Sequence, residues 1–358
     1  MKIFKPRSAR RKQGFSRNAG QPQGAFKSRA ARRKQGFSRD AGQPQGAFKS
    51  RTVRRKLAPV LTGLAALCLL LAFFAIRYLL SGTPVSPVVA GALQAEAAGD
   101  TVMAGASGDL TVRFIDVGQG MAALIECGGH YMAIDGGGRE SSSKFVAVLK
   151  AQGVEKLDYV VVSHYDEDHL AGLIGALHVF PTDRVLAPDY RPDTAIFRSY
   201  EKMRTEEGVP AEVPSPGSVY SLGTAAFQIV SPSSGTADLE NDRSLMVLLT
   251  NGTHRFLFPG DAEAAGEAAA LATGFSLRAD VLSAPHHGSN TSSTEAFLDA
   301  VSPKLAIVSA GADNPYHHPH PSILARYRDR GIEVYRTDES GTITVTSRGG
   351  KLTVDTEK

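Results

Sequence analysis

The sequence predicts an α/β fold, layered and about 250 residues long, over residues 109–358, and three observations carry that reading. From Asp109 onward, short apolar runs of strand length alternate with helical patterns. The first of these runs are joined by turns as tight as Cys127-Gly128-Gly129-His130, which suits antiparallel pairing. Several runs also end in carboxylates, histidines and glycines, as chains do where rigid strands present loop residues to a ligand. A chain of 358 residues has room for such a domain and for a distinct region before it.

That preceding region has three parts. Residues 1–56 hold 18 Lys and Arg against one acid, Asp40. They contain a direct repeat: 7–28, "RSARRKQGFSRNAGQPQGAFKS", returns as 29–50 with changes only at Ser8/Ala30 and Asn18/Asp40. With single phenylalanines among Arg, Lys, Gln, Gly and Pro, neither copy can bury a face, so the segment reads as a disordered tail. It suits an electrostatic tether to anionic lipid or nucleic acid, or a plain topology signal and spacer. Next, 57–76, "LAPVLTGLAALCLLLAFFAI", runs without a charge and is long enough to cross a hydrocarbon core of roughly 30 Å. A transmembrane helix is expected over 57–80, with the basic tail cytoplasmic and the rest of the chain outside. Residues 81–108, rich in Ala, Gly and Pro, read as a linker, with "VAGA" (89–92) as a small-residue cleavage site.

Within 109–358 the strand patterns fall at "LTVRFIDVG", "AALIECG", "YMAIDGG", "LDYVVVSHY", "AAFQIVSP", "SLMVLLTNG", "HRFLFPGD", "ADVLSAPHH", "KLAIVSAG" and, as a final pair, around "GTITVTS". Helical patterns fall near 142–152, from about Leu170, over 262–273, after "APHHGSN" and near 321–330. The net charge of +4 averages two unlike parts: outside the tail the chain has 22 basic and 35 acidic residues. An acidic body argues against a broad nucleic-acid-binding surface, where phosphate neutralisation dominates affinity. The two cysteines, Cys68 and Cys127, are too few and too far apart for a zinc ribbon or a disulfide framework.

Chemistry concentrates in "SHYDEDHLAG", 163–172. His164 and Asp166 share one side of an extended segment, and Asp168 and His169 follow as the chain turns into a helix. Two ligand pairs from one loop suit two divalent ions, which polarise a substrate and generate hydroxide near neutral pH. A solvated turn with Asp168 capping the helix would account for one acid but not for the whole group. Asp261 follows a tight "FPG" turn and could equally cap the helix after it. His286 and His287 follow an apolar strand and would be costly to bury unpaired. His318 lies in "NPYHHPHP"; its neighbours His317 and His320, and the isolated His130, His178 and His254, read as surface or structural residues.

Together with "FIDVGQGMAALIE", "AIDGGG", "NDRSLMVLL", "FLFPGDAE" and "ADVLSAPHHGSN", this loop resembles the metallo-β-lactamase superfamily, and within it the C-terminal domain of ComEC-type DNA-uptake proteins. The resemblance covers about 110–356 and implies a four-layer αββα sandwich with two metal ions, zinc or manganese, at one edge. It implies His164, Asp166, Asp168, His169, Asp261 and His286 as ligands, Asp135 as the first acidic motif, and Asp168, His287 and His318 as catalytic groups. The choice between His286 and His287 stays open. Asp166 stands where the superfamily has histidine; ComEC-type loops commonly carry this aspartate. The superfamily's further histidine is missing between His178 and Asp261, where "NDRS" (241–244) stands, and oxygen-richer ligation shifts preference from zinc toward manganese. One span cannot form the multi-span ComEC pore. The expected function is therefore a membrane-anchored phosphodiesterase or nuclease using metal-held hydroxide, with hydrolysis of another ester, a lactone or a choline-phosphate, or a non-catalytic interaction module, as alternatives.

Overall fold

The computed structural model describes residues 108–231 and 240–358. The expected tail, the span at 57–80 and all but the last residue of the 81–108 linker lie outside the described residues. Among the described residues, no helix is long and apolar enough to cross a membrane.

Within the described residues, fifteen strands build two sheets. The chain enters the first sheet with β1 (Leu110–Phe114), β2 (Ala122–Cys127), β3 (His130–Gly136), β4 (Leu157–Val161), β5 (Thr182–Leu186) and β6 (Ala211–Glu212). It then builds the second with β7 (Val219–Leu222), β8 (Ala225–Ile229), β9 (Val247–Asn251), β10 (His254–Phe258), β11 (Val281–Ser283), β12 (Leu305–Val308) and β13 (Glu333–Arg336), and returns to the first with β14 (Ile343–Arg348) and β15 (Lys351–Thr356). The sheet orders are β15-β14-β1-β2-β3-β4-β5-β6 and β13-β12-β11-β10-β9-β8-β7. Each sheet is antiparallel in one part and parallel in the other. The Gly128-Gly129 turn pairs Cys127 with His130, the antiparallel hairpin expected from its length. Pairing turns parallel from β3 to β6 and again from β10 to β13, where helices make the crossovers.

Period-two alternation separates the faces. In β1, Leu110, Val112 and Phe114 point between the sheets; in β2, Ala123 and Ile125 do so, while Ala122 and Leu124 face the other way. Phe114 meets Phe258 of the opposite sheet with ring centroids 5.7 Å apart. The outer face of the first sheet is covered by α1 (Ser142–Ala151), α2 (Glu167–Val179) and α3 (Ala195–Glu206), through Phe145, Leu173 and Tyr200 among others. The second sheet is covered by α4 (Ala264–Ala272), α5 (Glu295–Val301) and α6 (Pro321–Asp329), through Ala270, Phe297 and Tyr327. Helices, sheet, sheet, helices: the layering is the αββα sandwich that the resemblance implies.

Local details differ from what the sequence suggests. α2 starts at Glu167, three residues earlier than expected, with Asp166 at its N-cap and no side-chain capping bond; Asp168 lies inside the first turn, so it is not a cap. Nor does Asp261 cap α4. Asp242 does, its Oδ1 accepting from the backbone N–H groups of Glu263 and Gly266 at 2.9 and 2.7 Å. α3 was not foreseen: its mean hydropathy is low, and Ile196, Phe197 and Tyr200 are its buried residues.

Candidate metal centre

The polar residues gather where strands of both sheets end. β3 carries Asp135 as its last residue but one, β4 leads to His164, β10 to Asp261, and β11 to His287. Asp135 holds a left-handed backbone (φ 54°), which only a firmly tied residue sustains. Its Oδ1 accepts from Ser163 N–H at 2.8 Å. Its Oδ2 accepts from Ser163 Oγ–H at 2.6 Å and from His169 Nδ1–H at 2.9 Å. His169 is thereby fixed with Nε2 turned away from Asp135, the arrangement in which an orienting carboxylate prepares an imidazole for ligation.

Close approach of α2 to β3 makes that contact. A Cβ on Gly172 would lie 1.9 Å from the carbonyl oxygen of Gly136, so glycine alone lets the helix sit this near the strand end. Gly120 does the same for the loop after β1, where a Cβ would meet the Asp168 carbonyl oxygen at 2.2 Å. The glycines of "AIDGGG", "HLAG" and "DVGQG" are thus part of the site's geometry.

Five side chains converge. Single ligand atoms of His164, His169 and Asp261 lie within 4.8 Å of one another, and so do those of Asp168, His169 and His287. His169 Nε2 is 3.2 Å from Asp261 Oδ1 and 3.2 Å from His287 Nε2. His287 Nε2 is 3.4 Å from Asp168 Oδ2 and 3.3 Å from Asp261 Oδ2, which puts Asp261 between the two groups. His287 donates from Nδ1 to the Ser309 carbonyl at 2.8 Å, leaving Nε2 for the cluster.

The structure separates the histidine pair that the sequence left open. His287, implied as a catalytic group, lies in the cluster, whereas His286, implied as a ligand, lies at its rim. His286 Nε2 is 3.8 Å from Asp261, and its Nδ1 is 3.4 Å from Glu263 Oε1. Asp166 stands beside the cluster with Oδ2 3.8 Å from His164 Nε2, its side chain half exposed and outside both tight groups. His318 lies farther out, its ring centroid 5.4 Å from that of His286 and 6.3 Å from that of His287. His317 is exposed, and His320 caps α6 by accepting from Ser322 N–H.

The electrostatics follow from burial and charge. Burial, and then the neighbouring charge of His169, push His164 down to about 4, so its ring is neutral at neutral pH. Burial also opposes charge on His169 and His287. Asp261 and Asp135 outweigh it for His169, which rises well above the usual range; Asp261 and Asp168 outweigh it for His287, which rises to about 9. Asp168 and Asp261 resist burial through the same pairs and are held below the usual carboxylate range. Burial pushes Asp166 upward.

A divalent metal fits these residues. His164 Nε2 is fully buried with no hydrogen-bond partner, a state costing about 1–3 kcal/mol unless something electron-poor meets it. Imidazole nitrogens and carboxylate oxygens in one buried cluster are the donors that zinc and manganese take. The "NDRS" stretch, where the superfamily's further histidine is missing, does lie here. Ser244 Oγ accepts from Asp261 N–H at 3.1 Å and supports the turn that carries the carboxylate. Ser244 ends the "NDRS" stretch already noted, and adjacency to an expected ligand is the sequence signal for Ser163.

Comparison with known proteins gives the family. The profile of the metallo-beta-lactamase superfamily matches residues 115–312. ComE operon protein 3 of Bacillus subtilis is 31% identical over 250 residues, covering 65% of this chain and 32% of that protein. Competence protein ComA of Neisseria gonorrhoeae is 32% identical over 230 residues, covering 64% and 31%. This chain therefore spans about a third of the length of these relatives. Among solved structures, the metallo-beta-lactamase fold protein YhfI of Bacillus subtilis is 15% identical with a TM-score of 0.45, covering 69% of this chain and 100% of that one. With more than half of its residues matched by the family profile, the chain belongs to the metallo-beta-lactamase superfamily, and its homologues include competence proteins of the ComEC type.

Proposed function

We propose that the protein is a membrane-anchored, metal-dependent hydrolase of phosphodiesters, with nucleic acid as its substrate class and its sandwich domain outside the membrane. The partnerless, buried Nε2 of His164 beside Asp261, His169 and His287 is the observation that carries the reading. His164, assisted by Asp166, would hold one divalent ion. Asp168, His169 and His287 would hold a second, with Asp261 shared between them. Bound there, such ions supply Lewis acidity and an activated water near neutral pH.

The chain's own residues do the rest. Asp135 fixes His169 in the tautomer that leaves Nε2 free. Ser309 does the same for His287 through its carbonyl. Asp168, held ionised, orients the attacking water. His318, kept uncharged at neutral pH by burial and by His287 and His286, still carries one N–H to offer a leaving oxygen. The basic tail and the apolar 57–76 run support a cytoplasmic N-terminus, a single span and contact with anionic lipid or nucleic acid.

The test is elemental analysis of the purified full chain, with activity on nucleic-acid and small phosphodiesters after loading with zinc or manganese. About two ions per chain and diester cleavage lost in His164→Ala and Asp261→Ala are expected. Failure to bind metal overturns the hydrolase; turnover only of lactones or carboxylic esters overturns the substrate class.

A further inference from the structure

We propose that Tyr316 is a platform on which an unstacked nucleobase lies while the adjacent phosphodiester occupies the metal centre, so that this residue determines preference for substrates bearing a planar base. The inference rests on the phosphodiester reading above and adds a residue to it.

The observations are geometric. Tyr316 is 63% exposed, and the other exposed large apolar side chains among the described residues are three valines, Val179, Val213 and Val219. The ring also has a defined address. It packs on His318 with centroids 5.7 Å apart and planes 26° from parallel. His318 in turn lies 6.3 Å from His287, with planes 28° apart. Three rings therefore step outward from the ligand cluster to solvent, each within the offset-stacking range. Tyr316 ends that series, two ring steps from a residue whose Nε2 faces Asp168 and Asp261.

The platform is rigid. Asn314 Nδ2 donates to the carbonyls of Gly311 and His318, at 2.8 and 2.6 Å, and Asn314 Oδ1 accepts from His318 N–H at 3.0 Å. The tip of the loop is closed on itself, and His320 N–H donates to the Gly288 carbonyl, tying the loop to the "HHG" turn. With the backbone beneath the ring already tied down, little loop ordering is needed when a base is laid on it. In a body whose charge repels polyanions, sequence-tolerant stacking supplies affinity that phosphate contacts do not.

The test uses the full chain loaded with manganese. Binding is followed by fluorescence anisotropy with a labelled oligothymidylate and with an abasic phosphodiester oligomer of equal length. Base stacking on one aromatic ring is worth about 5- to 150-fold in affinity. The wild type is expected to prefer the oligothymidylate by that factor; Tyr316→Ala should lose the preference, and Tyr316→Phe should keep it. Thermal stability of Tyr316→Ala should match wild type, since the side chain is exposed. Equal binding of both oligomers by the wild type, binding of neither, or a preference that survives in Tyr316→Ala overturns the platform. If the preference behaves as stated and no diester is cleaved, the hydrolase falls and the platform stands. If diesters are cleaved without a base preference, the platform falls and the hydrolase stands.

Discussion

Replacing Asp135 with asparagine separates orientation from ligation, because Asp135 is fully buried and makes its contacts to Ser163 and His169. The carboxylate accepts three hydrogen bonds. An amide can keep one oxygen on Ser163 N–H, but its NH2 then faces His169 Nδ1. Two donors cannot share that contact, so His169 must move its proton to Nε2, the atom turned toward Asp261 and His287. A protonated Nε2 cannot ligate. Loss of an orienting carboxylate of this kind costs about 10- to 100-fold in metal affinity, or ~1.4–2.7 kcal/mol. Asparagine tolerates the left-handed backbone at φ 54°, so Asp135→Asn adds little strain, whereas Asp135→Ala adds backbone strain and an orphaned Ser163 N–H. Competition against a chromophoric chelator measures the affinity, with thermal unfolding in chelator as the control for folding. Metal affinity within twofold of wild type in Asp135→Asn would refute the tautomer argument.

Three further outcomes are expected. Gly172→Ala places a methyl 1.9 Å from the Gly136 carbonyl, so α2 must lift from β3; thermal unfolding should show a loss of several kcal/mol, and metal affinity should fall with it. His287→Gln should abolish metal binding at one position while His286→Gln leaves the metal content intact, as elemental analysis of the two variants will read. In metal-free protein, denaturation curves across pH should peak near the unfolded histidine value of about 6.5. His287, raised to about 9, contributes stability that is complete below that value and lost as pH rises through 9; His169, also raised, acts with the same sign. His164, lowered to about 4, has the opposite sign: stability falls as pH drops from 6.5 toward 4, because the buried ring resists the proton. A flat profile between pH 5 and 9 would contradict these shifts.

What the sequence discloses here follows the range of the forces involved. Strands and their polar ends are legible because alternation and buried runs are local: "LTVRF" and "YMAID" carry their own period, and Gly128-Gly129 specifies its own hairpin. The layer count is not local, and it comes from the resemblance. α3 was passed over because Ile196, Phe197 and Tyr200 make a narrow stripe among charges, and tertiary packing decides its helicity. The ligand loop is legible as a loop, since five titratable groups crowd one turn, but the partners of those groups come from far along the chain. Ser163, Ser244, Asp242 and the Ser309 carbonyl act by position, and nothing in their identity announces it.

The histidine pair marks the boundary most sharply. His286 and His287 are adjacent, both left-handed in backbone (φ 50° and 55°), and chemically identical. Their fates diverge through neighbours at a distance in sequence: the Ser309 carbonyl accepts a hydrogen bond from His287 Nδ1, whereas His286 Nδ1 lies 3.4 Å from Glu263 Oε1 at the rim. Swapping the two roles would require a partner for His286 at the position of the Ser309 carbonyl, a backbone atom fixed by β12. No substitution at 286 or 287 alone can supply it. Restoring a ligand through 286 in a His287→Gln protein should therefore fail, and recovery of full metal content by such a protein would show that the turn itself, and not β12, selects the ligand.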